Sequence, residues 1–147
     1  MKVYLDSSWW ISLKIKGDRN HEKAVKILEK FQPKADFLWT VLHQMEVYNS
    51  LRQLEYQKVI ASKESQRLIE ALEDEILEGF WLRQDLEWNK VIDIYEKNSF
   101  LHGVKHRVRA MDLMHISAAI SMRAEGFVSY DEDQVKSAKR IGLEILT

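Results

Sequence analysis

The chain has 147 residues, of which 46% are apolar and 31% charged, and this balance is typical of one globular domain over residues 1–147. A formal net charge of −1 excludes a global attraction to nucleic acid or anionic membranes, so any nucleic-acid contact requires a local basic patch. The absence of cysteine excludes disulfides and zinc–thiolate sites, and no apolar run predicts a signal peptide or a membrane span; we therefore expect a cytoplasmic protein.

Predicted strands alternate with predicted helices along the whole chain, which indicates an α/β fold with a parallel sheet and right-handed crossovers. In such sheets, functional groups gather beyond the carboxyl ends of the strands. The predicted elements, in chain order, are strand 2–6, helix 7–16, helix 21–32, strand 35–40, helix 41–60, helix 62–79, strand 80–85, helix 86–99, loop 100–109, helix 111–126, strand 127–131, helix 132–142 and strand 143–146.

Local signals set several of these helix boundaries. Thr40 is expected to cap the helix that follows the second strand, and Ser62 and Ser65 form a capping-box-like region before the next one. Gly79 and Gly126 are expected to end their helices, because glycine readily adopts the left-handed conformation that closes a helix.

Four acidic residues from distant segments are predicted to meet at one edge of the sheet. Asp6 and Asp131 each end a predicted strand, Glu46 lies in the first turns of the helix after the second strand, and Asp112 begins a helix of core-type residues. Carboxylates packed together without a cation raise each other's pKa values, and Mg²⁺ or Mn²⁺ removes that penalty. Each acid also has a simpler interpretation, as a helix cap or a favourable charge at a helix N-terminus. The metal hypothesis therefore depends on all four sharing one edge.

At these residues the chain resembles the PIN domain family, and within it the VapC-like toxins of toxin–antitoxin pairs. The resemblance spans essentially the whole chain and implies a three-layer α/β/α fold with a central, mostly parallel twisted sheet. The motifs that carry it are YLDSSWWISL with Asp6, HQMEVYNSL with Glu46, RAMDLMHISAAI with Asp112, and GFVSYDEDQVKSAKRIGLEIL with Asp131.

The resemblance implies a Mg²⁺- or Mn²⁺-dependent endoribonuclease whose acidic quartet is Asp6, Glu46, Asp112 and Asp131. Asp6 and Asp112 are the expected direct metal ligands, whereas Glu46 and Asp131 bind a second ion or orient water. Further positions match the family's hydroxyls or offer an extra acid: Ser8, Ser129 and Asp133. The family also implies a homodimer, with a helical groove that receives a cognate antitoxin.

Three features allow more than one interpretation. The segment 102–109, with Arg107 and Arg109, is either a phosphate-steering patch beside the metal site or a solvated loop. His115, one turn after Asp112, is either a ligand or a packed residue that supports one. The Trp9–Trp10 pair departs from the family pattern and can serve the core, an interface or base stacking.

Two other functions compete with the nuclease. The first is a catalytically weak PIN-like module that binds RNA or a protein. The second is a phosphotransfer protein, since receiver domains also place carboxylates at strand ends. Here the position two residues after Asp6 is Ser8 rather than an acid, and no receiver-type lysine ends a strand.

Overall fold

The computed structural model describes residues 1–147 and contains four strands and seven helices. The strands are β1 (Lys2–Leu5), β2 (Asp36–Trp39), β3 (Leu82–Arg83) and β4 (Gly126–Val128). The helices are α1 (Ser7–Lys14), α2 (His21–Phe31), α3 (Val41–Tyr56), α4 (Glu64–Leu77), α5 (Trp88–His102), α6 (Ala110–Ser121) and α7 (Glu132–Ile141). No helix has both the length and the apolar character needed to cross a membrane.

All strand pairings are parallel, and the strand order is β3–β2–β1–β4. Alternate residues of β1 face opposite sides of the sheet: Val3 and Leu5 join one buried cluster, and Tyr4 joins the other. The first cluster includes residues of α1 to α4, and the second includes residues of α5 to α7 together with Leu42 at the start of α3. The sheet is therefore buried on both faces, which confirms the predicted three-layer α/β/α fold.

Both tryptophans of the Trp9–Trp10 pair are fully buried in the core, so neither is placed to stack on an RNA base. The Trp10 Nε1–H donates to the backbone carbonyl of Leu5 at 2.8 Å. Trp81 packs edge-to-face on both rings, with centroids 4.7 Å from Trp10 and 6.3 Å from Trp9. Aromatic pairs of this kind add about 0.5–1.5 kcal/mol each beyond the area they bury. This cluster fixes α1 against the sheet directly after Asp6.

The C-terminal elements differ from the prediction. The helix predicted to Gly126 ends at Ser121, and Gly126 instead begins β4, where a Cβ would clash with the Leu146 side chain. The strand predicted over 143–146 is reduced to a single bridge between Ile145 and Phe127. A short apolar segment at the edge of a sheet has a neighbouring strand on one side only. The apolar pattern alone does not reveal how many of its residues form hydrogen bonds with that strand.

The middle of the chain also differs from the prediction. The strand predicted over 80–85 is limited to the two residues of β3, and the predicted loop over 100–109 begins with the last turn of α5. The predicted Ser62 cap is wrong, since the N-cap of α4 is Lys63 with φ 66°. The carboxylate of Glu55 accepts the N–H groups of Lys63 at 2.7 Å and Ser65 at 3.0 Å, so an acid from the preceding helix caps α4.

Candidate active site

The four predicted acids line one cavity at the carboxyl edge of the sheet. β1 and β4 are neighbours and end side by side, so the turns that follow them lie together. The cavity has a volume of about 540 Å³, and its wall includes Asp6, Glu46, Asp112 and Asp131. Ser8 and Arg109 also line it, whereas Ser129, Asp133 and Arg107 do not. The four acids thus share one cavity, and their catalytic and metal-binding roles stay predictions.

Asp6 is the most buried acid of the cavity, with 6% of its surface exposed. It is the N-cap of α1, and its Oδ2 accepts the Ser8 N–H at 3.1 Å. The Ser129 hydroxyl donates to the same oxygen at 3.4 Å, and the Gln134 side-chain amide donates to Oδ1 at 2.9 Å. Asp6 thus acts as the helix cap of the simpler interpretation and also presents a fixed carboxylate to the cavity.

Glu46 forms an ion pair with a buried histidine. The His115 Nε2–H donates to Glu46 Oε2 at 2.6 Å, and the Ser7 hydroxyl donates to the same oxygen at 2.6 Å. On the other side of the ring, His115 Nδ1 lies 2.8 Å from the Tyr4 hydroxyl oxygen. These contacts hold the carboxylate of Glu46 in one orientation.

The pKa shifts of Glu46 and His115 both favour a charged pair. Burial alone raises the pKa of Glu46, but the hydrogen bonds from His115 and Ser7 outweigh it and the pKa is lowered. Burial likewise lowers the pKa of His115, yet the Glu46 hydrogen bond and the nearby charge of Asp6 leave that pKa raised. Both shifts therefore favour the charged forms, a carboxylate at Glu46 and an imidazolium at His115.

Asp112 and Asp131 share one guanidinium. The Arg109 Nε–H donates to Asp112 Oδ2 at 3.1 Å, and Arg109 Nη2 forms a second ion pair with Asp131. The pKa of Asp112 is raised, mainly by burial and also by the charges of Asp131 and Asp6, although Arg109 opposes this shift. Arg109 therefore places a positive charge at the mouth of the cavity, where it can also meet a phosphate.

Asp131 is the N-cap of α7, with its Oδ1 accepting the N–H groups of Asp133 at 2.9 Å and Gln134 at 3.0 Å. Two serines connect its turn to that of Asp6. The Ser8 hydroxyl oxygen accepts the Tyr130 N–H at 3.0 Å, and the Ser129 hydroxyl oxygen accepts the Asp131 N–H at 3.0 Å. Both serines therefore hold the β1–α1 and β4–α7 turns in register.

One group of side chains has ligand atoms close enough together to bind a cation. Asp6, Glu46 and His115 each offer a ligand atom, and these atoms lie within 4.8 Å of one another. Because His115 Nε2 already donates to Glu46, the atoms left for a hard ion are carboxylate oxygens, which Mg²⁺ prefers. The buried Oε1 of Gln134 has no hydrogen-bond partner, although the same side chain binds Asp6. This orphaned acceptor suits a metal-bound water, so the residues present fit the ion.

Sequence reasoning does not identify three of the site's polar residues as partners of the acids. The resemblance favours Ser8, although Ser7 directly follows Asp6 and is the serine that binds Glu46. The sequence leaves the role of His115 open, but its i+3 spacing from Asp112 places both on one face of α6. Gln134 has no signal, because a glutamine in a surface-type helix pattern does not reveal that it is buried against Asp6.

The fold and the acidic cavity together define a PIN domain. The PIN domain family model matches residues 3–140, and the chain belongs to this family. PIN domains are typically nucleases that use a divalent metal. No curated protein sequence matches the chain.

Solved structures of VapC-type proteins share the fold at low sequence identity. VapBC2 from Rickettsia felis, bound to a promoter DNA fragment, is 18% identical with a TM-score of 0.72, covering 99% of this chain and 98% of its own. The sarcin–ricin loop-cleaving toxin VapC20 of Mycobacterium tuberculosis is 13% identical with a TM-score of 0.69, covering 92% and 94%. FitAcB from Neisseria gonorrhoeae is 20% identical with a TM-score of 0.67, covering 99% and 96%.

Proposed function

We propose that the protein is a Mg²⁺-dependent endoribonuclease that hydrolyses RNA phosphodiesters through Asp6, Glu46, Asp112 and Asp131. The observation that carries this proposal is the shared cavity, which four acids from four segments line and in which hydrogen bonds fix Asp6 and Glu46. Membership of the PIN family and the fold shared with a sarcin–ricin loop-cleaving toxin support RNA as the substrate.

The chain's own residues have separable roles in this proposal. Asp6 and Glu46 hold the ion, which supplies Lewis-acid activation of water and charge stabilisation when bound. His115 and Ser7 fix the orientation of Glu46, and Gln134 fixes that of Asp6. Asp112 completes the ligand set or binds a second ion with Asp131. Arg109 bears a guanidinium that can exchange these two carboxylates for the phosphate of the substrate.

A cognate antitoxin is the proposed protein partner, and the cytoplasm is the proposed location. The structural neighbours include toxin–antitoxin complexes, which supports a toxin that a cognate antitoxin neutralises in the cytoplasm. Large apolar side chains are exposed at the end of α5 and beyond it, and they support a homodimer or antitoxin contact. They are Phe100, Leu101 and Val104. Light scattering of the purified chain, alone and with the product of the adjacent reading frame, tests this part.

RNA cleavage with Mg²⁺ and with EDTA tests the activity, using the wild type and Asp6→Asn. Asparagine also caps helices well, so this variant keeps the fold while it removes one negative charge. The matched control is Asp85→Asn, an exposed acid that shares a different cavity with Lys2 and Arg123 and does not line the acidic one. We expect Mg²⁺-dependent cleavage that is abolished in Asp6→Asn only. Tight RNA binding by the wild type without cleavage would instead indicate the catalytically weak binding module.

A further inference from the structure

A second, basic cavity adjoins the acidic one. It has a volume of about 670 Å³ and lies between the start of α2 and the outer face of α7. Arg19, Asn20 and Tyr130 line both cavities, so the two share a wall. The second cavity is lined by four cationic side chains and one carboxylate: Arg19, Lys23, Lys136, Lys139 and Glu132. We call this surface the α2–α7 groove.

The charge of the α2–α7 groove contrasts with the rest of the chain. The whole protein has a formal net charge of −1, so four cations in one groove are a local excess. Arg19, Lys23 and Lys139 are exposed and form no ion pair, while Lys136 approaches Glu132 only loosely, at 3.9 Å. Their positive charges are therefore available to an anionic ligand.

Tyr130 lies at the junction of the two cavities and lines both of them. Its backbone N–H donates to the Ser8 hydroxyl oxygen at 3.0 Å, which fixes the turn at this point. Its hydroxyl oxygen is buried and faces neither cavity, so the role of Tyr130 is to connect the wall of one cavity to that of the other.

The negative charge of the acidic cavity opposes the binding of RNA. Its wall includes Asp18 besides the four acids of the quartet, and these carboxylates repel a polyanion, a repulsion that the divalent ion offsets only in part. Asp6 is also recessed, so a phosphate must reach inward, as the flexible backbone of a single strand can. Binding energy must then come from phosphates beside the scissile one, and an adjoining basic groove can supply it.

We propose that the α2–α7 groove binds the phosphates of single-stranded RNA next to the scissile phosphate, so that the strand passes from the acidic cavity across Tyr130 and between α2 and α7. This inference rests on the proposed ribonuclease function and gives the substrate strand its path. An acidic protein segment is the competing occupant, but the groove adjoins the cavity in which the substrate must lie.

The double variant Lys23→Ala/Lys139→Ala tests this path, with Lys34→Ala/Lys90→Ala as a control of equal charge change. Lys34 precedes β2, and Lys90 shares a cavity with Lys2 and Arg123, so both lie at the opposite edge of the sheet. Binding of a short single-stranded oligoribonucleotide is followed by fluorescence anisotropy over a range of KCl concentrations, with all proteins carrying Asp6→Asn to prevent cleavage.

We expect the slope of log K against log[KCl], which is negative, to become shallower by about 1.4 in the test variant, because each lysine that neutralises a phosphate of a single strand contributes about −0.7 to it. The slope should stay unchanged in the control. Equal slopes for test and control variants would overturn the proposal. Unchanged RNA binding with weakened binding of a polyglutamate peptide would overturn it in favour of an acidic protein partner.

The cleavage assay keeps the two proposals separate. If wild-type protein binds RNA with the expected slopes but does not cleave it, the α2–α7 groove stands and the nuclease proposal fails. If it cleaves RNA while the slopes do not respond to the lysine substitutions, the nuclease proposal stands and the groove fails.

Discussion

The ion pair between His115 and Glu46 makes the strongest energetic prediction for the site. The His115 side chain is 1% exposed and donates to Glu46 Oε2 at 2.6 Å, a geometry typical of a charge-assisted hydrogen bond. Replacing His115 by leucine leaves the Glu46 carboxylate with Ser7 as its remaining side-chain donor. We expect His115→Leu to destabilise the metal-free protein and to release Glu46 from its fixed orientation.

A hydrogen bond to a charged group contributes about 1.5–3 kcal/mol to stability. The Glu46 side chain is 35% exposed, so water screens part of that interaction. We therefore expect a coupling free energy of about 1–2 kcal/mol between His115 and Glu46. A double-mutant cycle isolates it, because the effect of removing the hydrogen bond between His115 and Tyr4 cancels between the two arms.

The coupling is expected to depend on pH in a definite direction. The pKa of Glu46 is lowered from 4.5, so its contribution is present above that value and disappears as the pH falls through the lowered pKa. The pKa of His115 is raised from 6.5, so its contribution is present below that value and disappears as the pH rises through the raised pKa. The full coupling therefore lies between pH 4.5 and 6.5 and decreases in alkali.

Urea unfolding in EDTA, followed by tryptophan fluorescence, measures this cycle with His115→Leu, Glu46→Gln and the double variant. Measurements at about pH 6 and at a series of higher pH values follow the expected decrease of the coupling. The exposed pair Arg67–Glu64 supplies a control cycle, in which we expect a much smaller coupling. A coupling no larger than that of the control, or one that does not decrease in alkali, would refute the assignment of a charged pair.

Three further predictions concern other residues. Arg109→Gln removes the cation that neutralises two of the four acids. Calorimetry should therefore show that the variant binds Mn²⁺ about 10-fold more tightly, or by about 1.4 kcal/mol, and weaker binding would contradict this role. Trp10→Phe removes the 2.8 Å hydrogen bond to the Leu5 carbonyl and leaves a gap in the core. Urea unfolding should therefore show a decrease in stability of about 1–3 kcal/mol, and unchanged stability would mean that the core repacks. Gly126→Ala places a Cβ against the Leu146 side chain, so the free energy of unfolding should decrease by about 1–3 kcal/mol. Unchanged stability would show that the C-terminal segment moves to accommodate the Cβ.

The convergence of the acids could be predicted because it follows from topology. Parallel strands have their carboxyl ends at one edge, so Asp6 after β1 and Asp131 after β4 must lie near each other once the sheet is recognised. Glu46 and Asp112 lie in the first turns of helices at the same edge. For Asp6 and Asp131 the cap and the cavity carboxylate are the same side chain, so the two interpretations of these acids are compatible.

Other features could not be predicted, because they depend on packing between segments distant in sequence. The basic groove joins residues 19–23 to residues 136–139, and each segment alone has the pattern of an ordinary solvated surface. In the charged segment 102–109, Arg109 lines the acidic cavity and Arg107 does not, a difference that the sequence does not reveal. The pairing of His115 with Glu46 likewise requires the packing of α6 against β1 and α3.

The central claim is that the acidic cavity holds a divalent ion, and anomalous scattering from a crystal grown with Mn²⁺ tests it most directly. We predict a manganese peak at ligand distance from carboxylate oxygens of both Asp6 and Glu46. A cavity without a peak at saturating Mn²⁺, with Arg109 still bound to Asp112 and Asp131, would contradict the account.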